Sequence, residues 1–132
     1  MPPIDWLAVL LCGASSMVLG AIWYSPLLFG RAWQREAGIT DAALAGGNMP
    51  LIYGGALALS LIAAAVFALF LGPGMGLWPS VGAGAAAGLG WVGASFGINY
   101  LFERRSLRLA LINGGYHTLQ FIFFGLILGL LQ

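Results

Sequence analysis

Uncharged, apolar runs alternate with short charged connections along the chain. No Asp, Glu, Lys or Arg occurs in residues 6–30, 42–102 or 109–132. A helix needs about 20 apolar residues to cross a hydrocarbon core of about 30 Å. Windows that reach this length lie at residues 6–29, 51–71, 78–102 and 109–131. The pattern predicts an all-α integral membrane protein of four transmembrane helices, spans one to four, in a single membrane domain of residues 1–132.

Composition agrees with this class. Hydrophobic residues make up 61% and charged residues 7% of the chain, against about 25% charged in an ordinary soluble domain. Span one is longer than the apolar run of a signal peptide and has no Lys or Arg before it, so we expect a retained helix. Cys12 is alone, so no intrachain disulfide and no Cys-rich metal site is expected. The leading prediction names no cofactor and no metal.

Local signals predict how the connections begin and end. Pro26 removes a backbone donor and disfavours helix at Ser25, which predicts a kink or unwinding at the cytoplasmic end of span one. Thr40 or Asp41 is expected to cap a short helix over residues 42–45, and residues 46–48 to end it.

Positive charge is confined to the first and third connections. The five basic residues are Arg31, Arg35, Arg104, Arg105 and Arg108. With four spans these connections share one side, and the positive-inside rule then places them in the cytoplasm and both termini outside an inner or plasma membrane. Topology and attraction to anionic headgroups account for the arginines, so we expect a lipid bilayer, and no nucleic acid, as their partner.

Span three is rich in small residues. Its glycines Gly84, Gly88, Gly93 and Gly97 are expected at helix contacts, because small residues let membrane helices approach closely. We expect span three to be the central helix of the bundle. Its bulky arc should face lipid: Val81, Leu89, Val92, Phe96 and Tyr100.

The two halves of the chain resemble each other. Residues 20–33 align with 93–106, and residues 51–62 align with 111–122. The two offsets, 73 and 60, differ by the 13 extra residues of the first loop. The alignment predicts two tandem, parallel helical-hairpin repeats, residues 4–71 and 78–131, related by an axis along the membrane normal.

Four strings carry a resemblance to a known family: WYSPLLFGRAW, REAGITDAALA, INYLFERRS and LINGGYH. Over nearly its whole length the chain resembles the bacterial and fungal four-span membrane family catalogued as domain of unknown function 1761. The resemblance implies a four-helix integral membrane protein. It brings no established reaction, ligand or catalytic residue.

Polar side chains follow one face of span four. Asn113, His117 and Gln120 recur at helical spacing, with Tyr116 beside them. Antiparallel pairing with span three places Asn99 level with Asn113. The same register places Ser95 near Tyr116 and His117, and we expect His117 to point inward within hydrogen-bond reach of Ser95 or of a water held there.

These polar residues have three possible roles. They can hydrogen-bond across helices, at about 0.6 kcal/mol each in membranes, or they can line a path or a binding site. Catalysis or cofactor ligation through His117 is the third role, although one His without Cys or carboxylate at its depth is a poor metal site. The sequence holds no Ser–His–acid set and no phosphate loop, so no catalytic residue is assigned. The spans also lack the embedded acid expected of a proton-coupled exporter.

The leading hypothesis is a small membrane protein without evident catalysis that packs as a homo-oligomer or as an accessory subunit of a larger complex. One alternative is a small-molecule or ion transporter or channel along spans three and four. Another is a membrane enzyme or a lipid- or cofactor-binding protein using His117. Water-filled volume beside Asn113 would favour transport, and a dry, closed face would favour assembly.

Overall fold

Helices account for all the regular structure in the computed structural model, which describes residues 3–132. In chain order they are α1 (Trp6–Trp23), α2 (Gly30–Ala37), α3 (Asp41–Ala45), α4 (Met49–Leu71), α5 (Leu77–Ala87), a π-helical segment (Gly88–Gly93), α6 (Ala94–Glu103) and α7 (Leu107–Leu131). Residues 1 and 2 of the predicted 1–132 domain lie outside the described residues.

Four helical stretches are long and apolar enough to cross a membrane, which confirms the predicted all-α, four-span class. Span one is α1, span two is α4 and span four is α7. Span three runs through Leu77–Glu103, so it comprises α5, the π segment and α6. The predicted hairpin repeats, residues 4–71 and 78–131, stay a prediction.

Side-chain caps begin three of the spans. The Asp5 carboxylate accepts a hydrogen bond from the Ala8 N–H at 3.1 Å. The Asn48 side chain does the same for Leu51 at 3.2 Å, and the Ser106 hydroxyl oxygen for Leu109 at 3.1 Å. Each cap satisfies a backbone donor that the first helical turn leaves free.

Span one ends earlier than its apolar run because Pro26 interrupts the helix. The chain turns after Trp23 and resumes as α2 at Gly30, as the predicted unwinding requires. A Cβ atom at Gly30 would collide with the carbonyl oxygens of Tyr24 and Ser25, so only glycine fits this close turn. The predicted short helix is also present, as α3, with the Thr40 hydroxyl oxygen accepting from the Ala43 N–H at 3.1 Å.

The spans pack in the order two, one, four, three. Span four lies against both span one and span three, whereas span three packs almost entirely on span four. The expectation that span three is the central helix is therefore wrong. Span four holds that place, because its glycines pack against span three while Tyr116 and Gln120 bond to Ser16 of span one.

Apolar packing is densest at the end that carries both termini. The side-chain amide of Gln132 donates to the carbonyl oxygens of Ala68 and Gly72, at 3.0 and 3.2 Å, and its oxygen accepts from the Asp5 N–H at 3.3 Å. These bonds tie the chain end to spans one and two. The buried core beside them comprises Ala8, Val9, Cys12, Ala64, Phe67, Ala68, Leu71, Ala87, Phe124 and Leu128.

Candidate functional site

Asn113 connects three spans near the arginine-bearing end. Its side-chain oxygen accepts a hydrogen bond from the Tyr24 hydroxyl at 2.7 Å, where Tyr24 follows the end of α1. Its side-chain nitrogen donates to the Tyr100 hydroxyl oxygen, on α6, at 2.8 Å. Both ends of the amide are thus bound by protein groups.

His117 and Gln120 form a chain of hydrogen bonds directed inward. The Gln120 amide nitrogen donates to the Ser16 hydroxyl oxygen at 2.9 Å and lies 3.5 Å from the Ser60 hydroxyl oxygen. The Gln120 oxygen therefore faces His117 Nδ1, at 2.7 Å. Since that oxygen can only accept, Nδ1 carries the proton. Gln120 is 4% exposed, so the bond to Ser16 is shielded from the surroundings.

Tyr116 joins the same cluster from the neighbouring position on α7. Its hydroxyl donates to the Ser16 carbonyl oxygen at 2.9 Å. Its ring centroid lies 5.5 Å from that of Tyr24, and 4.8 Å from that of His117 with the two ring planes at 75°. Polar and aromatic contacts together hold span four against span one.

Ser95 and Asn99 do not join the cluster, contrary to the predicted register. Both are exposed, and the Ser95 hydroxyl donates to the Trp91 carbonyl oxygen of its own helix at 2.6 Å. Their expected places are taken by the next residues along the chain. Phe96 stacks on His117 with ring centroids 5.2 Å apart and planes 14° apart, and Tyr100 binds Asn113. His117 does point inward, but its partner is Gln120 rather than Ser95.

The π segment explains this one-residue displacement. A π-helical turn closes its hydrogen bonds five residues apart instead of four, so it takes in one extra residue. Every side chain after Gly93 is therefore rotated relative to a continuous α-helix. This rotation turns Phe96 and Tyr100, expected to face lipid, inward and turns Ser95 and Asn99 outward.

The glycines of span three that were expected at helix contacts also differ across the π segment: those up to its end pack on span four, and the one beyond it does not. A Cβ atom at Gly84 would collide with the Phe121 carbonyl oxygen, and one at Gly88 would lie 2.7 Å from Thr118 Cα. Gly93 lies against Gly114, where a Cβ on Gly114 would be 3.4 Å from Gly93 Cα. Gly97, beyond the π segment, has nothing within 4 Å of its Cβ position, so its expected helix contact is wrong within the chain.

Span four contributes glycines to the same seam, and the sequence analysis did not single them out. A Cβ atom at Gly125 would collide with the Ser80 carbonyl oxygen, and one at Gly129 would lie 2.9 Å from Leu77 Cα. The four-residue spacing of Gly125 and Gly129 was the available signal, because it is typical of closely packed membrane helices.

Ser16, Trp23 and Tyr24 are further cluster residues that the sequence analysis missed as site residues. The Trp23 indole N–H donates to the Ile112 carbonyl oxygen at 2.9 Å, and Ser16 receives bonds from both Tyr116 and Gln120. A signal for Ser16 existed, since it is polar in the middle of an apolar span. Its partners Tyr116 and Gln120 could not be inferred, because no local pattern shows that spans one and four are neighbours.

The arginines Arg31, Arg35, Arg104, Arg105 and Arg108 are all exposed. Among the described residues the one ion pair joins Arg105 to Glu103 at 3.2 Å. Arg104 ends α6 with a φ of 58°, in the left-handed region.

A cleft between α2 and α3 and a groove between spans three and four open on the surface, and the groove meets the polar cluster only at Trp23. A cleft of about 330 Å³ lies between α2 and α3 and is lined in part by Arg31, Arg35 and Asp41. A mainly apolar groove of about 560 Å³ runs between Trp23, Gly97 and α7. In the part of the chain that the structure describes, neither of these cavities is lined by Asn113, His117 or Gln120. Residues 3–132 also bring no three His, Cys, Asp or Glu side chains together as around a metal ion.

The outer face of span three is covered by none of the residues 3–132 that the structure describes. Gly82, Ala86 and Gly90 recur every four residues on it, and all three are exposed. A Cβ atom at Gly82 or Gly90 would meet nothing within 4 Å. Ser95 and Asn99 continue this outer face beyond the π segment.

Comparison with known proteins gives one match. A family model described as "Protein of unknown function (DUF1761)" matches residues 7–129. No curated protein and no solved structure matches the chain.

Proposed function

Because this chain belongs to the DUF1761 family, whose description states no activity, we propose its function from the surface that its fold leaves uncovered. It acts as a packing module of the membrane that associates with a second copy through the outer face of span three. This face consists of Gly82, Ala86, Gly90, Ser95 and Asn99.

The single observation that carries the proposal is the small-residue pattern of this face. Gly82, Ala86 and Gly90 are exposed at four-residue intervals, and space is open at both glycines. In membranes, helices associate through such small residues because their backbones can approach closely enough for dispersion and hydrogen bonding. The seam between spans three and four within the chain uses the same device at Gly84 and Gly88.

Span three also has the smallest share of buried residues of the four spans. In its most apolar 18-residue window 17% of the residues are buried, against 28% in each of the other three spans. Its one main neighbour is span four. A second copy would supply the contacts that the other spans obtain from within the chain.

Polar groups on the same face support a second copy as the occupant. Asn99 makes no side-chain hydrogen bond to any described residue, and it lies one helical turn before Glu103. In a two-fold dimer with its axis along the membrane normal, identical residues near the axis meet at equal depth. The two Asn99 amides could then bind each other, which would specify the register of the pair.

The closed polar cluster supports a structural role for Asn113 and His117 within this function. Both ends of the Asn113 amide are bound by protein groups, and His117 is held between Gln120 and Phe96. This arrangement favours assembly over the transporter, channel and enzyme alternatives.

Substitution of Gly82 by Leu tests the proposal. A Cβ atom at Gly82 would meet nothing within 4 Å, so the fold should persist while close approach of a second copy is blocked. We expect the dimer affinity in lipid nanodiscs to fall about tenfold, equivalent to about 1.4 kcal/mol. Native mass spectrometry or single-molecule photobleaching measures the dimer fraction.

Gly54→Leu is the matched control, because Gly54 is also exposed and open within 4 Å but lies on span two. It should retain the wild-type dimer fraction. A monomeric wild-type protein, or a Gly82→Leu variant that dimerises as well as Gly54→Leu, would rule out self-association through this face. Recovery of the monomer with one defined membrane protein, lost in Gly82→Leu, would instead indicate the accessory-subunit role.

A further inference from the structure

Two pairs of residues on α6 compete for the same two positions. Phe96 and Tyr100 face His117 and Asn113 in the structure. Ser95 and Asn99 precede them by one residue each and lie on the outer face. The pairs share their four-residue spacing, so a one-residue rotation would exchange them together.

The π segment determines which pair faces inward. Gly88 packs against Thr118 of span four and marks the inner side of span three. At about 100° per residue, Ser95 and Asn99 would lie within about 20° of Gly88 in a continuous α-helix. The extra residue taken up by Gly88–Gly93 moves Phe96 and Tyr100 to these positions instead.

We propose that span three has a second register, in which the π segment becomes α-helical and α6 turns by about 100° about its own axis. Ser95 then lies opposite His117, and Asn99 lies opposite Asn113. The Phe96 ring leaves His117 for the outer face. A polar site forms between spans three and four, and its ligand class is water.

The backbone at both ends of α6 permits such a rotation about the helix axis. The π segment contains Gly88, Gly90 and Gly93, and glycine adopts altered backbone angles at low steric cost. At the other end Arg104 already stands in the left-handed region, with φ 58°, immediately before a short connection. Changes of backbone angle at the two ends of an element are how rigid segments usually rotate.

Both registers provide partners for the fixed polar groups. The Asn113 amide nitrogen binds the Tyr100 hydroxyl now and would bind the Asn99 amide oxygen after the turn, while Tyr24 keeps its bond to the Asn113 oxygen. Ser95 would exchange its bond to the Trp91 carbonyl for a partner at His117. A hydroxymethyl group is much smaller than a phenyl ring, so room is left beside polar groups, which is the condition for holding water.

The observed register is accordingly the closed one. Phe96 covers the His117 ring at a centroid distance of 5.2 Å, and no cavity described above reaches it. The second register removes this cover and admits water to the span-four polar face. Such a change would let one chain alternate between a closed packing module and an open polar site.

Cysteine pairs distinguish the two registers. Phe96→Cys with His117→Cys reports the observed register, and Ser95→Cys with His117→Cys reports the second. Ile98→Cys with His117→Cys gives the baseline, since Ile98 is exposed in the observed register and would still lie about 80° from the Gly88 direction in the second, against about 20° for Ser95. All are made in the protein with Cys12→Ala, in lipid bilayers, with a short bifunctional thiol cross-linker. Mass spectrometry of the monomer band restricts the measurement to links within one chain.

We expect the Phe96 and Ser95 pairs both to link at least several times faster than the Ile98 pair. Deleting Gly90 removes the extra residue, so span three becomes a continuous helix with the Phe96 position still inward. This variant should keep the Phe96 link and lose the Ser95 link. His117 is replaced in every pair, so its loss cannot account for a difference between them.

A Ser95 pair that links no faster than the Ile98 pair would overturn the second register, as would a Ser95 link that survives the deletion. A Phe96 pair at the baseline would overturn the closed register. If the deletion variant does not fold, the comparison of Ser95 with Ile98 decides the question alone. Because only links within one chain count, the result does not depend on whether the protein dimerises.

Discussion

At the residue scale, several polar side chains inside the spans form hydrogen bonds between helices. Gln120 is the most connected of them, since its amide serves Ser16 on span one and His117 on span four. Ser16 is 1% exposed and so has no alternative partner outside the protein. Such a group costs free energy when its bond is removed.

Gln120→Leu should therefore destabilise the fold. Two side-chain hydrogen bonds are lost, at about 0.6 kcal/mol each on average in membranes, and Ser16 is left buried without its donor. We expect a loss of about 1–2 kcal/mol in the free energy of unfolding, measured by titration with a denaturing detergent and followed by circular dichroism. Thr118→Val is the control, because the Thr118 hydroxyl bonds only within its own helix, to the Gly114 carbonyl oxygen. Equal unfolding midpoints for the two variants would contradict a cross-helix role for Gln120.

The sequence predicted the inward face of span four but only part of its partners. Asn113, His117 and Gln120 share one face because helical spacing alone determines it. Their partners Ser16, Tyr24 and Phe96 depend on which spans are neighbours and on the backbone of span three. The local sequence pattern determines neither the neighbours of a span nor the π-helical backbone of span three. Ser95 and Asn99 were therefore expected where Phe96 and Tyr100 lie.

At the element scale, span three is two helices joined by a π segment. The Pro26 break in span one was predictable, because proline lacks an N–H and restricts its predecessor. The π segment was not, since glycine-rich sequence is compatible with both α- and π-helical turns. One extra residue there was enough to reverse the expected positions of Phe96 and Ser95.

The seam between spans three and four depends on glycine on one side of this segment only. Gly88→Leu should destabilise the protein by about 1–3 kcal/mol or more, because the new side chain meets the backbone at Thr118 and the helices must separate. Gly97→Leu is the matched variant on the same span, and it should be close to neutral since its Cβ position is open. The same detergent titration compares the two, and a greater loss for Gly97→Leu would contradict the observed packing.

At the scale of the whole molecule, the charged end and the end with the termini face opposite ways. Asp5, Gln132 and the turn at Gly72 are bonded together, and the arginines lie at the other end of the spans. This separation is complete, so it predicts the orientation of the entire chain in the membrane.

We expect Gln132→Cys to react with a membrane-impermeant thiol reagent added to intact cells, and Arg35→Cys to react only after the cells are opened. Cys12 is fully buried and provides a silent background. Labelling of Arg35→Cys but not Gln132→Cys in intact cells would reverse the predicted topology.

The packing order of the spans has a consequence for how the protein is made. Chains grow from the N-terminus at roughly 5–20 residues per second, so the helix of Leu77–Glu103 is completed roughly 1–6 seconds before the end of α7. Spans one and two can pair as soon as both are inserted, because they are neighbours. Span three packs on span four, which has not yet been synthesised at that point. Its glycine surface at Gly84 and Gly88 therefore stays unpaired, in the bilayer or against the insertion machinery, until span four is inserted. The span synthesised after the other three is thus the one that joins the two halves, and the bundle can be assembled only once α7 has emerged.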